Sequence, residues 1–192
     1  MPQPGSRAPA PGRLHLVQDF INTVDIEEAA DTFDSMAAVE RWLRQRDLLG
    51  AGERLRDPRD LGRAVRLREA LRDVCAANHD LQAAPQAAVE DLEAAARDAV
   101  LTIARDPDGG WRLQPRAAGL DGALGWLVAI MYDAMTDDQW WRLKVCHNDA
   151  CRWAFWDGSP NRAGRWCAMA ICGNRAKINA YRGRDRRDRR VR

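Results

Sequence analysis

Residues 146–172 read CHNDACRWAFWDGSPNRAGRWCAMAIC and contain four of the five cysteines of the chain. These cysteines form two pairs of equal spacing, Cys146-x4-Cys151 and Cys167-x4-Cys172, with fifteen residues between the pairs. Two short pairs that each close a tight turn can present four thiolates at the corners of a tetrahedron, as a structural zinc site requires. The spacing therefore predicts that all four cysteines bind one structural Zn²⁺. The alternative is disulfides or core thiols, but disulfides need an oxidising compartment, of which the sequence gives no sign.

The residues around the cysteines predict one small fold, which we call the finger (residues 140–184). Residues 142–145 and 153–156 alternate polar and apolar side chains on either side of the first pair, which is typical of a β-hairpin. The second pair opens a proline-free run from Ala168 to Arg184, which predicts a helix. Hairpin, knuckle and helix make a treble-clef-like arrangement that is too small to bury its own core. We therefore expect the finger to unfold without zinc.

Two motifs in the chain resemble those of a known bacterial family. The end of the finger resembles the CGNR zinc finger, which is named for its tetrapeptide, here Cys172-Gly173-Asn174-Arg175. Near the start of the chain lies a segment similar to the opening motif of the ABATE domain, Leu16-x2-Asp19-Phe20-x-Asn22-Thr23. Pro160 is a departure, because the family commonly has a basic residue before Asn161. Members of this family are regarded as transcriptional regulators, so the resemblance implies DNA binding.

Charge is distributed unevenly along the chain. The formal net charge is +2, but residues 142–192 hold 14 basic against 4 acidic residues, a net charge of +10. Residues 1–141 hold 16 basic against 24 acidic residues, a net charge of −8. A basic terminal module on an acidic body is typical of a polyanion-binding protein. The alternative is that the arginines of the basic tail, residues 185–192, only keep that tail solvated.

Length and composition indicate one ordinary domain with a small module attached. The chain has 192 residues, of which 46 % are hydrophobic, enough for a core. Its longest apolar run, residues 124–132, is far too short to span a membrane. Residues 1–13 are rich in Pro, Gly and Ala and have no apolar region of a signal peptide, which predicts a disordered lead. With no export signal we expect a soluble, cytoplasmic protein.

Residues 14–139 predict a mainly α-helical body with a small β-hairpin, an α+β fold. Apolar side chains recur at three- and four-residue steps in five segments, which begin near Leu14, Ser35, Asp57, Pro85 and Leu120. The last of these is apolar nearly all round, so we expect that helix to be central. Alternation with a period of two predicts a hairpin near residues 100–114.

The body contains two sets of polar residues whose roles can be predicted from their neighbours in the sequence. The long helix from Asp57 has a charged face, which is typical of exposed ion pairing: Arg59, Asp60, Arg63, Arg66, Glu69, Arg72 and Asp73. Asp19, Asn22 and Thr23 lie among apolar residues and need partners if they are buried. They either tie the first helix to its neighbours or line a pocket for a small-molecule effector, for which Asp19 and Asn22 are the candidates. Cys75, beside an apolar stripe, is expected in the core.

The predicted finger helix is rich in arginine. Arg175 and Arg182 share one face, and Lys177 and Arg184 share another. Such a helix can enter the major groove of double-stranded DNA, where arginine meets guanine and asparagine meets adenine. The periodicity leaves open which face points outward. The predicted DNA contacts are Arg162, Arg165, Asn174, Arg175, Lys177, Asn179, Arg182 and Arg184.

No enzyme signature accompanies these motifs. The sequence has no glycine-rich phosphate loop, and His15, His79 and His147 lie far apart along the chain. Although His147 follows a predicted ligand directly, we expect an exposed bystander. Five of the eight tryptophans fall within residues 140–166, which favours docking of the finger onto the body over base stacking.

The sequence thus predicts a zinc-dependent DNA-binding regulator of transcription, whose body senses a small molecule or forms a homodimer. Two alternatives stay open. The finger could dock proteins or bind RNA, or the four cysteines could form a redox switch that releases zinc on oxidation.

Overall fold

The computed structural model describes residues 7–79, 81–105 and 107–178. Over these residues the fold is mainly α-helical with small antiparallel hairpins, as the sequence predicted. The body comprises α1 (Leu14–Ile21), β1 (Val24–Asp25), β2 (Ala30–Asp31), α2 (Met36–Arg44), α3 (Asp60–Ala77), α4 (Gln86–Asp98), β3 (Leu101–Arg105), β4 (Trp111–Pro115) and α5 (Gly119–Thr136). The finger comprises a 3₁₀ turn (Trp140–Arg142), β5 (Leu143–Val145), β6 (Ala154–Trp156) and a π-helical turn (Met169–Gly173) that continues as helix to residue 178.

Helix α5 lies at the centre of the body. It is buried on most sides and packs against α1, α3, α4 and the β3–β4 hairpin, so the expectation of a central last helix is confirmed. Gly125 lets that hairpin approach the helix. A Cβ added at Gly125 would lie 2.3 Å from the Cβ of Ala99 and 3.0 Å from the Cβ of Pro115. No helix in the described part of the chain is both long and apolar enough to cross a membrane.

The start of α2 has the side-chain cap that the sequence predicts. The hydroxyl of Ser35 accepts a hydrogen bond from the backbone N–H of Ala38 at 3.2 Å, as a helix cap does. Helix α3 begins at Asp60, two residues after Pro58, which was expected to be its first residue behind a cap at Asp57. The reason is local, because the carboxylate of Asp57 binds the backbone N–H of Arg59 at 2.9 Å and so closes a turn before the helix.

The expectation of a disordered lead over residues 1–13 is wrong for residues 7–13. The Nε of Arg7 donates to the carbonyls of Trp166 and Cys167, both at 3.1 Å, and its guanidinium lies 4.5 Å from the ring centre of Phe155. Ala10 is buried, and its N–H donates to a side chain of α1 at 2.7 Å. These contacts join distant parts of the sequence, which local composition does not show. Residues 1–6 lie outside the described residues.

The hairpin of the finger shares the core of the body. Trp140, Leu143, Val145 and Ala154 belong to the same buried apolar cluster as the body helices. A separate, smaller cluster surrounds the cysteines and includes Phe155. The finger therefore has its own interior only around the cysteines, and the apolar side chains of its hairpin are buried against the body.

Buried amides of the body bind the backbone of the finger. The Oδ1 of Asn22 accepts from the N–H of Ala154 at 2.8 Å, and its Nδ2 donates to the carbonyl of Ala154 at 2.9 Å. The Nδ2 of Asn78 donates to the carbonyls of Trp140 and Leu143 at 3.0 and 2.8 Å. Of the two roles considered for Asn22, the structure shows the tie to a neighbouring element.

The interpretation of the charged face of α3 as exposed is wrong at Arg72 and Asp60, which are 1 % and 5 % exposed. The Nη1 of Arg72 donates to the carbonyl of Arg152 at 2.7 Å, and its Nη2 donates to the carbonyl of Ile21 at 2.6 Å. Its Nε donates to Glu69 at 2.9 Å. Arg72 is buried because the finger covers this part of the helix, and it joins α3, α1 and the finger.

We expect the substitution Arg72→Met to lower the free energy of unfolding by about 3 kcal/mol, because two buried carbonyls and Glu69 lose their partner. Chemical denaturation of the metal-loaded chain measures this. The matched control is Arg66→Met, an exposed position on the same helix, which should change stability by less than about 0.5 kcal/mol. Equal losses in the two variants would contradict the role of Arg72.

Candidate metal centre and nucleic-acid interface

The β5–β6 hairpin presents the first cysteine pair. Val145 is paired with Ala154, and the N–H of Cys146 donates to the carbonyl of Trp153 at 2.9 Å, so the ladder continues to the first cysteine. The carbonyl of Asn148 then accepts the N–H of Cys151 at 2.8 Å. This tight turn returns the chain after five residues and brings Cys151 back beside Cys146.

The second pair sits on the π-helical turn. Cys167 precedes the turn and Cys172 lies within it. Gly173 packs so closely that an added Cβ would lie 2.3 Å from the sulfur of Met169 and 3.2 Å from the Cδ1 of Trp166. The glycine of the tetrapeptide therefore allows the turn to close against Trp166, beside the cysteines.

The structure brings the four predicted ligands together. All four cysteines are buried, and their Sγ atoms lie within 4.8 Å of one another. The Sγ atoms of Cys151 and Cys167 are 3.7 Å apart, and those of Cys167 and Cys172 are 3.8 Å apart. Four sulfurs bound to one ion at about 2.3 Å in a tetrahedron would be about 3.8 Å apart, whereas a disulfide requires about 2 Å. The spacing thus suits a metal ion and not disulfides.

The acid–base properties of the cluster also favour a cation. Hydrogen bonds from the thiols of Cys151 and Cys167 lower the pKa of Cys146 to about 2. The contact with Cys146 raises the pKa of Cys151 to about 12 and raises the pKa of Cys167 as well. Without a cation, one thiolate therefore opposes ionisation of its neighbours. A divalent ion would stabilise all four thiolates and release their protons on binding.

A buried ion pair supports the loop between the cysteine pairs. The sequence pattern does not predict this pair. The Nζ of Lys144 donates to Asp157 at 3.1 Å, and both side chains are almost fully buried. Asp157 also accepts from the N–H of Gly164 at 2.7 Å and from the hydroxyl of Ser159 at 2.6 Å. Burial alone would raise the pKa of Asp157, but these hydrogen bonds outweigh it and lower the pKa to about 2.

Other side chains near the cluster have supporting roles. The Nδ2 of Asn148 lies 3.7 Å from the sulfur of Cys172, within donating distance. His147 is exposed, and its ring packs 4.0 Å from that of His79, so the expectation of a bystander is consistent with its position. Trp140 and Trp153 are buried, as expected for residues that dock the finger onto the body. Cys75 lies in the body core, where burial raises the pKa of its thiol.

Five of the eight predicted DNA contacts fall within the described residues. Arg165 and Lys177 are exposed and form no ion pair with any described residue. Asn174 is exposed, and its Nδ2 donates to the carbonyl of Ala170 at 3.1 Å. The other three predicted contacts lie outside the described residues: Asn179, Arg182 and Arg184.

Acidic residues of the body reach the arginines at the edge of the finger. Arg162 is paired with Asp138 and Arg175 with Glu27. A third pair joins Arg152 to Asp73 at 2.7 Å. These pairs cross the boundary between the acidic and the basic parts of the chain. They hold the finger against the body and partly neutralise two of the predicted DNA contacts.

Fold and site together define the class: an α-helical body followed by a small module with a four-cysteine metal centre. Residues 142–185 match the family model of the CGNR zinc finger. Residues 14–138, well over half of the chain, match the ABATE family model, described as "Putative stress-induced transcription regulator". The chain therefore belongs to the ABATE family and carries a CGNR zinc finger. A comparison with curated proteins finds no match.

We expect the wild-type chain to bind one divalent metal ion and Cys167→Ala to lose it, because three thiolates cannot complete the tetrahedron. Elemental analysis of the purified proteins, with thiol titration before and after chelation, measures the stoichiometry. Cys75→Ala is the matched control, since this thiol lies in the body core, and it should keep one ion per chain. Retention of the ion by Cys167→Ala would contradict the assigned ligand set.

Proposed function

We propose that the protein is a zinc-dependent DNA-binding regulator of transcription. The observation that carries this proposal is that the strongly basic end of the sequence, with a net charge of +10 over residues 142–192, contains the four-cysteine centre. The ABATE family description agrees with this function. The metal would order the cysteine cluster and the helix that follows it, and the finger would bind the polyanion.

Zinc is the ion that this ligand set favours. Four thiolates at tetrahedral distances select zinc or iron, and a mononuclear site of this kind in a zinc-finger family is a structural zinc site. Four ligands also fill the coordination sphere, which leaves no open position for a catalytic water. We therefore assign the site a structural role and propose no enzymatic activity.

Double-stranded DNA is the polyanion we favour. Arg165 and Lys177 are exposed and free to meet phosphates, and Asn174 and Arg175 lie at the start of the helix that would approach the major groove. RNA recognition by stacking is less well supported, because Trp140 and Trp153 are buried and unavailable to bases.

The test is a titration of the zinc-loaded full-length protein against random double-stranded DNA at several salt concentrations, with a chelated sample alongside. We expect binding that weakens steeply with salt and disappears on chelation. A single-stranded RNA that competes better than the duplex would favour the RNA alternative. Absence of binding at low salt would refute the proposal.

We expect the double variant Arg165→Gln plus Lys177→Gln to make the slope of log K against log salt concentration less negative by about 1.8. Each lost phosphate contact contributes about 0.9 to that change. The matched control is Arg41→Gln plus Arg66→Gln, which removes two exposed arginines of the body and should leave the slope unchanged. Identical slopes for the two double variants would show that Arg165 and Lys177 do not bind phosphates.

We also expect Glu27→Gln to strengthen DNA binding, by about threefold at low salt, since it frees Arg175 from an exposed ion pair. Glu28→Gln removes the same charge one residue away without touching Arg175 and controls for net charge. The affinity difference between the two variants isolates the effect of the pair. If both variants bound DNA equally well, Glu27 would not shield the finger.

A further inference from the structure

A cavity of about 250 Å³ lies where the body meets the finger. It is formed by the end of α1, the β1–β2 hairpin, the end of α2 and, from the finger, Trp153, which directly precedes β6. Its lining is mostly polar and includes Asp19, Asn22, Thr23, Trp42, Arg46 and Trp153. The cavity therefore touches the predicted pocket residues Asp19 and Asn22 and, through Trp153, the finger.

Two of the lining side chains already form hydrogen bonds within the fold. Both atoms of the Asn22 amide are bound to the backbone of Ala154. The hydroxyl of Thr23 donates to the carbonyl of Phe20 at 2.9 Å and accepts from Arg68 at 3.2 Å. Both residues are held in place by these hydrogen bonds, so we assign neither of them a contact with the ligand.

Three other lining groups are incompletely paired. The guanidinium of Arg46 stacks on the ring of Trp42 at 4.0 Å, but its nearest carboxylate oxygen, on Asp19, is 3.8 Å away. That distance is too long for a hydrogen bond. Burial lowers the pKa of Arg46 although Asp19 opposes the shift. The Nη1 of Arg46 also donates to the carbonyl of Trp42 at 3.4 Å. The guanidinium and the Asp19 carboxylate therefore form only a long ion pair, and both keep hydrogen-bonding capacity.

Trp153 supplies the third group. Its side chain is 3 % exposed, and its Nε1 has no hydrogen-bond partner among the described residues. Buried indole N–H groups normally find an acceptor, and a buried donor without one costs free energy. The indole therefore contributes its ring to the cavity wall, while its buried Nε1 is not accessible from the cavity.

We propose that this junction cavity binds a small zwitterion with the chemistry of a free α-amino acid. Its carboxylate would bind Arg46, its ammonium group would bind Asp19, and Trp42 would provide an aromatic wall. A simple anion would suffer repulsion from Asp19, and a simple amine would suffer repulsion from Arg46. Only a ligand that carries both charges can form a charged hydrogen bond with Arg46 and with Asp19 at the same time.

The position of the cavity links this ligand to the finger. Trp153 lies two residues after Cys151, and Asn22, on the opposite wall, holds the backbone of Ala154. A ligand that contacts Trp153 would stabilise the arrangement in which the finger is docked on the body. Binding should therefore raise the unfolding temperature of the metal-loaded chain, by an amount that grows with the logarithm of the ligand concentration relative to Kd.

The test is calorimetric titration of the zinc-loaded full-length protein with each of the common L-amino acids. We expect one-to-one binding of at least one of them. The N-acetyl and C-amide forms of that amino acid should bind at least about tenfold more weakly, since each removes one charged hydrogen-bonding group. No binding by any amino acid, or equal binding of a blocked form, would overturn the proposal.

Substitutions locate the site independently of DNA binding. Arg46→Met and Asp19→Asn should each weaken binding of that amino acid by at least about tenfold, and Trp153→Phe should weaken it while the chain keeps its metal ion. Arg41→Met, at an exposed position on the same helix as Trp42, is the matched control and should bind as the wild type does. Unchanged affinity in Arg46→Met and Asp19→Asn would place the ligand elsewhere and refute the assignment.

Discussion

The pairing of Asn22 with the backbone of Ala154 is the interaction on which the arrangement of body and finger depends. A hairpin whose strands have three residues each has few internal hydrogen bonds. Any backbone group that it buries against the body therefore needs a partner there. Asn22 supplies both a donor and an acceptor to one residue of β6. Asn78 and Arg72 donate to the carbonyls of Leu143 and Arg152. The body thus completes the hydrogen bonding of the finger with side chains.

The finger is held together by three different means. Its apolar hairpin residues join the core of the body, its loop is fixed by the buried pair of Lys144 and Asp157, and its cysteines converge on one centre. Removing the metal would leave four thiols that cannot all ionise, but it would not remove the contacts with the body. Loss of metal should therefore affect the cysteine cluster and its helix more than the hairpin. A regulator built in this way would keep its DNA-binding end attached to a body that can report on a ligand.

Local patterns predicted the local features. The equal spacing of the cysteine pairs identified the cluster, because each pair sits on a short turn. Ser35 marked a helix start through its side-chain cap, and Pro85 marked another through its fixed backbone angle. What could not be predicted was long-range: Arg72 resembled any exposed helix arginine until the finger covered it, and the Pro-rich lead gave no sign that Arg7 binds the carbonyl of Cys167. Asp157 is part of the finger motif, but its role in a buried ion pair becomes visible only from its distance to Lys144.

Native-state hydrogen exchange of the Ala154 amide in the metal-loaded chain would test most directly whether the body completes the finger. This N–H donates to Asn22, a residue 132 positions away in the sequence. If the body and the finger hairpin form one cooperative unit, the amide should exchange with the same free energy as amides at the centre of α5, and Asn22→Ala should reduce that protection selectively. Exchange at the rate of a freely opening hairpin, unaffected by the substitution, would contradict the account.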